Sequence, residues 1–353
     1  MTGMTFSCGH DRQPISVEQR GKSLVVDIHC HLSVPEADQM VRDALPDAPQ
    51  VFGFSSAASN AVNAKLFAAI AKKLSGVDQR IEDMDALGID VQAISPSPGQ
   101  YYYFTPPELG RDVARKINEG IASAVEKHPK RLVGMGTVPL QNVEMAIAEM
   151  RRCVKNLNLR GIEISSNVNG RELAEPELRP FWAAAEELGV LIFMHPLGFT
   201  HGERLSEHYL NNIIGNPIES TIALSHLIFG GVLKDYPGLK LCVAHGGGYL
   251  PGYWGRMDHA YRAREDCRAC IDHEPSHYLR QVWLDTLVFD RDELNALVAS
   301  HGADKLCLGS DYPFDLSEPD PVGFHAGLAP ELRNKIVGLN AAALLGLEVR
   351  ADN

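Results

Sequence analysis

The stretch VVDIHCHL, Val25 to Leu32, places two histidines two residues apart at the end of an apolar run. Because alternate residues of a β-strand point to the same side, His29 and His31 would share one face of this strand. A nearly continuous apolar run is typical of a strand that is covered on both faces, as in a parallel sheet. The stretch therefore predicts a buried parallel strand with two imidazoles at its carboxyl end.

Seven further apolar runs follow, and segments of helical periodicity separate them. The eight predicted strands are residues 24–30, 89–95, 131–138, 159–165, 190–195, 239–245, 281–287 and 304–310. The predicted helices are residues 79–88, 112–129, 143–157, 176–189, about 215–235, 255–264, 291–301 and 328–345. Eight βα units in 353 residues predict an α/β fold, the (β/α)8 TIM barrel. A doubly wound sheet is the alternative, which the lack of a G-x-G-x-x-G motif after the first strand disfavours.

The segment after the first strand is too long for a simple βα loop. Residues from about 33 to 77 contain Pro35, Pro46, Pro49 and the small-residue run SSAASNA. We interpret this segment as an insertion over the mouth of the barrel. The chain, residues 1–353, is accordingly expected to form a single barrel domain that carries this insertion.

The composition argues against several partners and locations. The formal net charge is −12 and no run is rich in Lys and Arg, so a nucleic acid would be repelled. No stretch approaches the roughly 18 continuous apolar residues of a membrane span. The polar N-terminus lacks the apolar core of a signal peptide. The seven cysteines are scattered and odd in number, which favours free thiols in a reducing cytoplasm.

Residues that can bind a metal stand at the carboxyl ends of four predicted strands. The first strand ends in His29 and His31, the fifth in His195, the sixth in His245 and the eighth in Asp311. In a (β/α)8 barrel these strand ends converge on the active site. Three imidazoles and a carboxylate suit Zn²⁺ or another divalent transition metal, with one position left for water. The expected ligands are therefore His29, His31, His195 and Asp311.

Each of these residues alone has an ordinary explanation, and only their convergence indicates a metal site. His195 could be a hydrogen-bonded core histidine, and Asp311 could cap a helix. His245 opens HGGGYLPGYWGRMD, where three glycines allow the backbone to pass close to a ligand, or simply to turn. A histidine beside water activated by a divalent ion can take its proton. His245 is therefore the candidate proton carrier.

Three weaker features leave alternatives open. The fourth predicted strand has no Lys that could bridge two ions, which favours one metal; its Glu163 either points inward or lies at the solvent edge. Cys267-x-x-Cys270 with His273 resembles half of a zinc knuckle, and without a second half we interpret it as an unpaired loop motif. The stretch QYYYF, residues 100–104, either lines an aromatic pocket or packs at the barrel mouth.

Taken together, these motifs resemble the amidohydrolase superfamily. The resemblance rests on DIHCHL, QRIEDMDALGIDVQ, RLVGMGTVPLQ, FMHPLG, AHGGGYLPGYWGRMDHAYR and LGSDYPF, which span residues from about 24 to 345. It is strongest to the branch of aminocarboxymuconate-semialdehyde decarboxylase and related metal-dependent nonoxidative decarboxylases. The resemblance implies one metal ion, usually zinc and in some relatives manganese, on His29, His31, His195 and Asp311. It also implies His245 as the residue that activates the metal water.

The resemblance further implies a homodimer in which Arg256 reaches across the interface to bind a substrate carboxylate. The sequence departs from the pattern in the insertion, where the decarboxylase carries a second carboxylate-binding Arg. The equivalent stretch VFGFSSAASNAVNAK contains Lys65 as its only cation. Because an Arg fork binds a carboxylate bidentately and a Ser/Asn-rich loop does not, this indicates a different substrate. A hydroxylated aromatic or dienoic acid with fewer or differently placed carboxylates is expected.

The sequence thus predicts a metal-dependent carboxy-lyase that acts on a small aromatic or unsaturated carboxylic acid. Its candidate catalytic residues are His245 and Asp311, and Arg256 is the candidate substrate-binding residue. The alternative is a metal-dependent hydrolase or hydratase, because the same residues can produce a nucleophilic hydroxide. A non-catalytic metal scaffold is disfavoured, since a structural zinc site does not leave a free position beside a base.

Overall fold

The computed structural model describes residues 23–49 and 54–348. Its strands are β1 (Val26–Leu32), β2 (Val91–Pro96), β3 (Leu132–Gly136), β4 (Gly161–Ile164), β5 (Asn167–Val168), β6 (Arg171–Glu172), β7 (Leu191–Met194), β8 (Lys240–Val243), β9 (Trp283–Asp285) and β10 (Leu306–Cys307). Eight of them form one sheet in the order β1-β2-β3-β4-β7-β8-β9-β10, with every neighbouring pair parallel, whereas β5 and β6 form a small antiparallel pair. All eight predicted strands are confirmed.

Hydrogen bonds between β1 and the residues that follow β10 close this sheet into a barrel. The amide of Ile28 donates to the carbonyl of Leu308 (3.0 Å), and the amide of His31 donates to the carbonyl of Tyr312 (2.8 Å). The predicted (β/α)8 barrel is therefore confirmed, and the doubly wound alternative is excluded because such a sheet has open edges.

Helices connect the strands. They are α1 (Pro35–Ala44), α2 (Ala57–Ser75), α3 (Asp78–Leu87), α4 (Pro107–Lys127), α5 (Val143–Asn156), α6 (Arg179–Leu188), α7 (Leu210–Ile213), α8 (Gly215–Phe229), α9 (Val232–Asp235), α10 (Leu250–Ala263), α11 (Pro275–Leu279), α12 (Arg291–His301), α13 (Pro321–Phe324), α14 (Pro330–Asn334) and α15 (Asn340–Leu345). A π-helical turn, Lys335–Leu339, joins α14 to α15. The predicted helix at 215–235 is divided into α8 and α9 by Gly230 and Gly231, and each other predicted helix is present.

A fully buried polar network fixes the backbone around the two histidines of β1. The carboxylate of Asp27 accepts the amide N–H groups of His29 (3.1 Å) and Ser310 (3.0 Å). It also accepts the side chains of Gln92 (2.9 Å) and Ser310 (2.6 Å). Arg80 of α3 donates to Gln92 (2.9 Å) and to the carbonyl of His31 (2.5 Å). The network ties β1 to β2 and to the chain after β10, where the barrel closes.

The segment from 33 to 77 is attached to the loop after β2. The side-chain amide of Gln100 bonds with both the N–H and the C=O of Val34 (3.0 Å each) and with Asp38 (2.7 Å). The hydroxyl of Tyr102 also donates to Asp38. Tyr101, Tyr102 and Tyr103 are buried in the core. The stretch QYYYF is therefore packing at the barrel mouth.

Six cysteines lie in the described residues, and all six are free thiols, as expected. They are Cys30, Cys153, Cys242, Cys267, Cys270 and Cys307. Cys8 lies outside the described residues. None of the described helices combines the length and the apolar composition that crossing a lipid bilayer would require.

The stability of the barrel should fall in mild acid because of His325. Its ring lies between the carbonyl of Pro321 (2.7 Å) and the hydroxyl of Thr286 (2.9 Å), and burial lowers its pKa from 6.5 to about 4. Between pH 6.5 and pH 4 the unfolded chain gains a proton that the folded chain does not bind. The free energy of unfolding is expected to fall by about 3 kcal/mol over this range. Urea unfolding of the wild type and His325→Gln measures this, since the variant lacks the titrating group. Equal pH slopes for the two proteins would contradict the prediction.

Candidate metal centre and active-site cavity

The structure brings together the four residues that the sequence predicts as metal ligands. His29 and His31 lie at the end of β1, His195 directly follows β7, and Asp311 lies in the turn after β10. One ligand atom of each residue lies within 4.8 Å of those of the others. All four side chains belong to residues buried by their neighbours. The convergence follows from the barrel itself, which directs the carboxyl ends of its strands to one side.

The distances within this cluster fit a shared ion. The Nε2 atoms of His29 and His31 are 3.1 Å apart, and Asp311 Oδ1 lies 3.1 Å from the second and 3.4 Å from the first. Asp311 Oδ1 and both ring nitrogens of His195 are buried and have no hydrogen-bond partner within the part of the chain that the structure describes. Buried polar atoms without partners are costly, and a set of three nitrogens and one oxygen suits a divalent transition metal. The donor set is therefore compatible with one metal ion.

Hydrogen bonds on the outer nitrogens orient the two histidines of β1. His31 Nδ1 lies 3.0 Å from the carbonyl of Pro96, and His29 Nδ1 lies 2.6 Å from Asp285 Oδ2. In each ring the other nitrogen, Nε2, therefore faces the cluster. Partners of this kind fix the tautomer and direction of metal-binding histidines.

Asp285 is a functional residue that the sequence analysis did not single out. Besides His29, its carboxylate accepts the amide N–H groups of His245 (3.0 Å), Gly246 (2.8 Å) and Leu287 (3.1 Å). Burial would raise the pKa of Asp285, but the hydrogen bond and charge of His29 outweigh burial and lower it. Asp285 thus joins a candidate ligand to the backbone of the loop that carries His245. Its signal in the sequence is a lone carboxylate near the end of the seventh predicted strand, QVWLDTL.

The carboxylates and imidazoles of the cluster shift each other's pKa values. Burial lowers the pKa of His29, but the charge of Asp311 and the hydrogen bond and charge of Asp285 raise it to about 10. Burial raises the pKa of Asp311, and the neighbouring histidines hold it well below its usual range. Burial, followed by the charges of His245, His31 and His29, lowers the pKa of His195. His195 is therefore neutral, which is the form that binds a metal, whereas an ion would displace a proton from His29.

His245 lies beside the cluster. Its ring is 4.8 Å from that of His195 between centroids, and its Nε2 is 3.9 Å from Asp311 Oδ2. Its backbone has a φ of 56°, and Asp311 has a φ of 60°; both values lie in the left-handed region that side chains other than glycine disfavour. Two residues with this unfavourable backbone conformation lie next to each other, which indicates that the surrounding structure constrains the backbone here. His245 is placed to exchange a proton with a ligand at the cluster.

The remaining predicted residues occupy different positions. Glu163 is fully buried and accepts a hydrogen bond from the hydroxyl of Tyr101 (2.7 Å). Its carboxylate lies 3.8 Å from Nδ1 of His31, and burial raises its pKa. It therefore points inward and does not belong to the group of four. Arg256 lies exposed on α10 and lines neither cavity at the cluster. The structure does not bring Arg256 to the metal centre of its own chain.

Two cavities open at the cluster and share Asn212, Asn216, Asp311 and Leu316. The first is lined by the insertion and by the loops after β2, β7 and β10: Phe54, Ser55, Asn63, Leu66, Phe67, Ser97, Pro98, His195, Pro196, Leu197, Gly198, Tyr209, Asn211, Asn212, Asn216, Asp311, Phe314, Asp315 and Leu316. The second passes His245, Tyr249, Trp254 and Phe289, beside α10. A ligand at the cluster can thus extend in two directions.

Comparison with known proteins gives consistent matches along the chain. A family model described as amidohydrolase matches residues 26–347. The 2-amino-3-carboxymuconate-6-semialdehyde decarboxylase of Dictyostelium discoideum is 34% identical over 341 residues, 93% of each protein. The gamma-resorcylate decarboxylase of Rhodococcus jostii (strain RHA1) is 26% identical over 295 residues, 77% of this chain and 88% of that protein. The 5-carboxyvanillate decarboxylase of Novosphingobium aromaticivorans, solved with bound manganese, has the same fold, with a TM-score of 0.83 and 23% identity over 95% of this chain and 100% of that chain.

Replacing Asp285 should weaken metal binding. In Asp285→Asn an NH₂ group replaces one acceptor oxygen, so either His29 or the loop at His245 loses its partner. Loss of such an outer partner typically lowers metal affinity about 10–100-fold. Competition with a chromophoric chelator measures the affinity. The control is Asp290→Asn, because Asp290 caps α12 and Asn caps a helix equally well. Equal affinities in the two variants would show that Asp285 does not support the site.

Proposed function

Because the chain belongs to the amidohydrolase family, we propose that it is a metal-dependent decarboxylase of a small aromatic or unsaturated carboxylic acid. The family match confirms the resemblance drawn from the sequence motifs. The observation that carries the proposal is the cluster of His29, His31, His195 and Asp311, with His245 beside it. Within the described residues, both ring nitrogens of His195 and Oδ1 of Asp311 are buried without a hydrogen-bond partner. The decarboxylases of Dictyostelium discoideum and Rhodococcus jostii match 93% and 77% of this chain, respectively.

The cluster is proposed to hold a single divalent ion. Zinc is the ion we propose, and the manganese bound in the structurally similar 5-carboxyvanillate decarboxylase makes Mn²⁺ the alternative. When bound, the ion would stabilise negative charge that develops on an oxygen conjugated to the reacting carbon. The ligands would be the three histidines and Asp311, each of which offers one atom to the cluster.

The residues around the cluster would manage the proton. When the carbon–carbon bond breaks, carbon dioxide leaves and the electron pair stays on the ring or diene carbon, which must then accept a proton. His245 would hold that proton on its Nε2, which lies 3.9 Å from Asp311 Oδ2. A proton carrier within reach of the reacting carbon typically contributes about 10²–10⁴-fold to the rate. Asp311 is proposed to have a catalytic role here in addition to its role as a ligand.

We further propose that the chain works as one domain, with the insertion at 33–77 forming part of the cavity wall. Phe54, Asn63 and Phe67 of this segment line the first cavity together with His195. A cytoplasmic location is proposed as well; the free thiols of the described residues support it, because a reducing compartment keeps thiols in that form.

A homodimer is proposed to complete the site. Arg256 lies exposed on α10, and within the described residues its guanidinium forms no ion pair. Near it, Tyr253 is 66% and Tyr249 49% exposed, and Tyr249 lines the second cavity. Exposed aromatic side chains with an Arg are typical of interfaces. A second copy covering α10 would bury this surface, and the exchanged Arg256 would reach a substrate carboxylate in the neighbouring subunit.

The proposed activity is tested by carbon dioxide release from the metal-loaded protein. The panel consists of hydroxybenzoates, muconates and lactones, and release of carbon dioxide from an acid is expected. His245→Ala should keep its metal and lose about 10²–10⁴-fold in kcat. The control is His259→Ala, at an exposed position of α10. Opening of a lactone without release of carbon dioxide from any acid would favour a hydrolase. A near-normal kcat in His245→Ala would reduce His245 to a turn residue.

Exchange of Arg256 between subunits is tested with mixed dimers. Arg256→Ala should raise KM or lower kcat while the metal is retained. Mixing this variant with His245→Ala should restore activity in some sites, because one site of each mixed dimer has both groups intact. Arg262→Ala is the control, since Arg262 of the same helix pairs with Glu274 (2.5 Å). Verified mixed dimers without activity, or a monomer at working concentration, would rule out the shared site.

A further inference from the structure

The first cavity contains no cationic side chain among its described lining residues. Its polar groups besides the cluster are Ser55, Asn63, Ser97, Tyr209, Asn211, Asn212, Asn216 and Asp315. Lys65 of α2 is exposed and does not line the cavity. The four positions between the described ranges are Gln50, Val51, Phe52 and Gly53, none of which carries a positive charge. We call this space the asparagine-lined cavity.

The four asparagines of this cavity fall into two pairs. Asn211 Oδ1 accepts the amide N–H of Phe199 (2.9 Å), and Asn216 Oδ1 accepts that of Gly198 (2.6 Å). Their carbonyl groups are thus held by the loop after β7, and their NH₂ groups remain as donors. The side-chain amides of Asn63 and Asn212 form no hydrogen bond within the described residues and are each partly buried. These amides can both donate to and accept from a ligand.

The described lining of the cavity offers an additional anion no opposite charge. Asp315 and Asp311 both line it, and they act in the same direction as burial on Tyr209, whose pKa rises to about 12. The hydroxyl of Tyr209 therefore stays protonated and neutral. A second carboxylate in this space would lose water and find no opposite charge among the described lining residues of this chain, and the exposed Asp315 would repel it. Burying a charge without an opposite charge is costly, whereas a hydroxyl, methoxy or carbonyl group is satisfied by amides.

We propose that the asparagine-lined cavity selects acids whose substituents, apart from the carboxylate to be lost, are neutral hydrogen-bonding groups. The inference rests on the proposed function, under which one carboxylate leaves as carbon dioxide beside the cluster and is the carboxylate that Arg256 of the second copy would reach. The substrate class is thus a hydroxylated or alkoxylated aromatic or dienoic monocarboxylic acid. Asn63 is a specificity-determining residue, because it lies on α2, lines the cavity together with the loop after β7, and has a side-chain amide without a hydrogen bond within the described residues.

The test compares matched acids on the metal-loaded wild type. Dihydroxybenzoates are paired with hydroxybenzenedicarboxylates in which a second carboxylate replaces one ring hydroxyl. The monocarboxylates are expected to be preferred about tenfold to a hundredfold in kcat/KM. The same panel is measured by binding calorimetry, so the preference is observed whether or not carbon dioxide is released. If no acid releases carbon dioxide, the result counts against the proposed function alone. If monocarboxylates and dicarboxylates bind equally well, the proposed specificity is overturned.

Charge substitutions locate the preference at Asn63. Asn63→Arg should shift the relative preference towards dicarboxylates by about tenfold or more, because it places a cation in the cavity. Val62→Arg is the matched control: Val62 is the preceding residue, is 58% exposed and does not line the cavity. Asn63→Asp, a change of nearly equal size, should weaken dicarboxylates further. Equal shifts in Asn63→Arg and Val62→Arg, or no effect of Asn63→Asp, would overturn the role of Asn63.

Discussion

The buried hydrogen bond between His29 and Asp285 is the interaction on which the rest of the site depends. At 2.6 Å it directs the inner nitrogen of His29 towards the cluster, and the same carboxylate receives the amides of His245 and Gly246. One side chain therefore sets both the direction of a candidate metal ligand, His29, and the path of the loop with the proposed proton carrier, His245. Because a carboxylate offers several acceptor positions, it can serve four donors at once.

This arrangement requires β1, β9 and the chain after β10 to approach closely. At Gly309, between β10 and Asp311, a Cβ atom would lie 2.9 Å from Cβ of His29 and 3.0 Å from Cβ of Asp285. A larger residue would push apart the two groups whose hydrogen bond orients the site. Nearby, Asp27 binds Ser310 through both oxygens and closes the barrel at the same point. The residues that close the barrel thus also hold the candidate metal ligands in place.

The sequence predicted those parts of the molecule that follow from periodicity and strand ends. The eight strands and the convergence of His29, His31, His195 and Asp311 could be predicted, because a barrel directs every strand end to one face. Asp285 was missed, since its role lies in hydrogen bonds to other residues. The burial of Tyr101 to Tyr103 and the lining by Asn63, Asn211 and Asn216 depend on how loops pack, which one sequence does not encode locally.

His245 and Asp311 have backbone conformations in the unfavourable left-handed region, and the surrounding fold stabilises both. His245 lies two residues after β8 and Asp311 four residues after β10, so both stand where the chain turns from a strand towards the next helix. Each conformation is held from outside: the amide of His245 by Asp285 (3.0 Å) and the amide of Asp311 by the carbonyl of His29 (2.8 Å). Strained backbone persists only where its surroundings determine it fully. His29 takes part in both sets of hydrogen bonds, through Asp285 and through its own carbonyl. It therefore also positions His245 and Asp311, the residues proposed to act in the proton transfer.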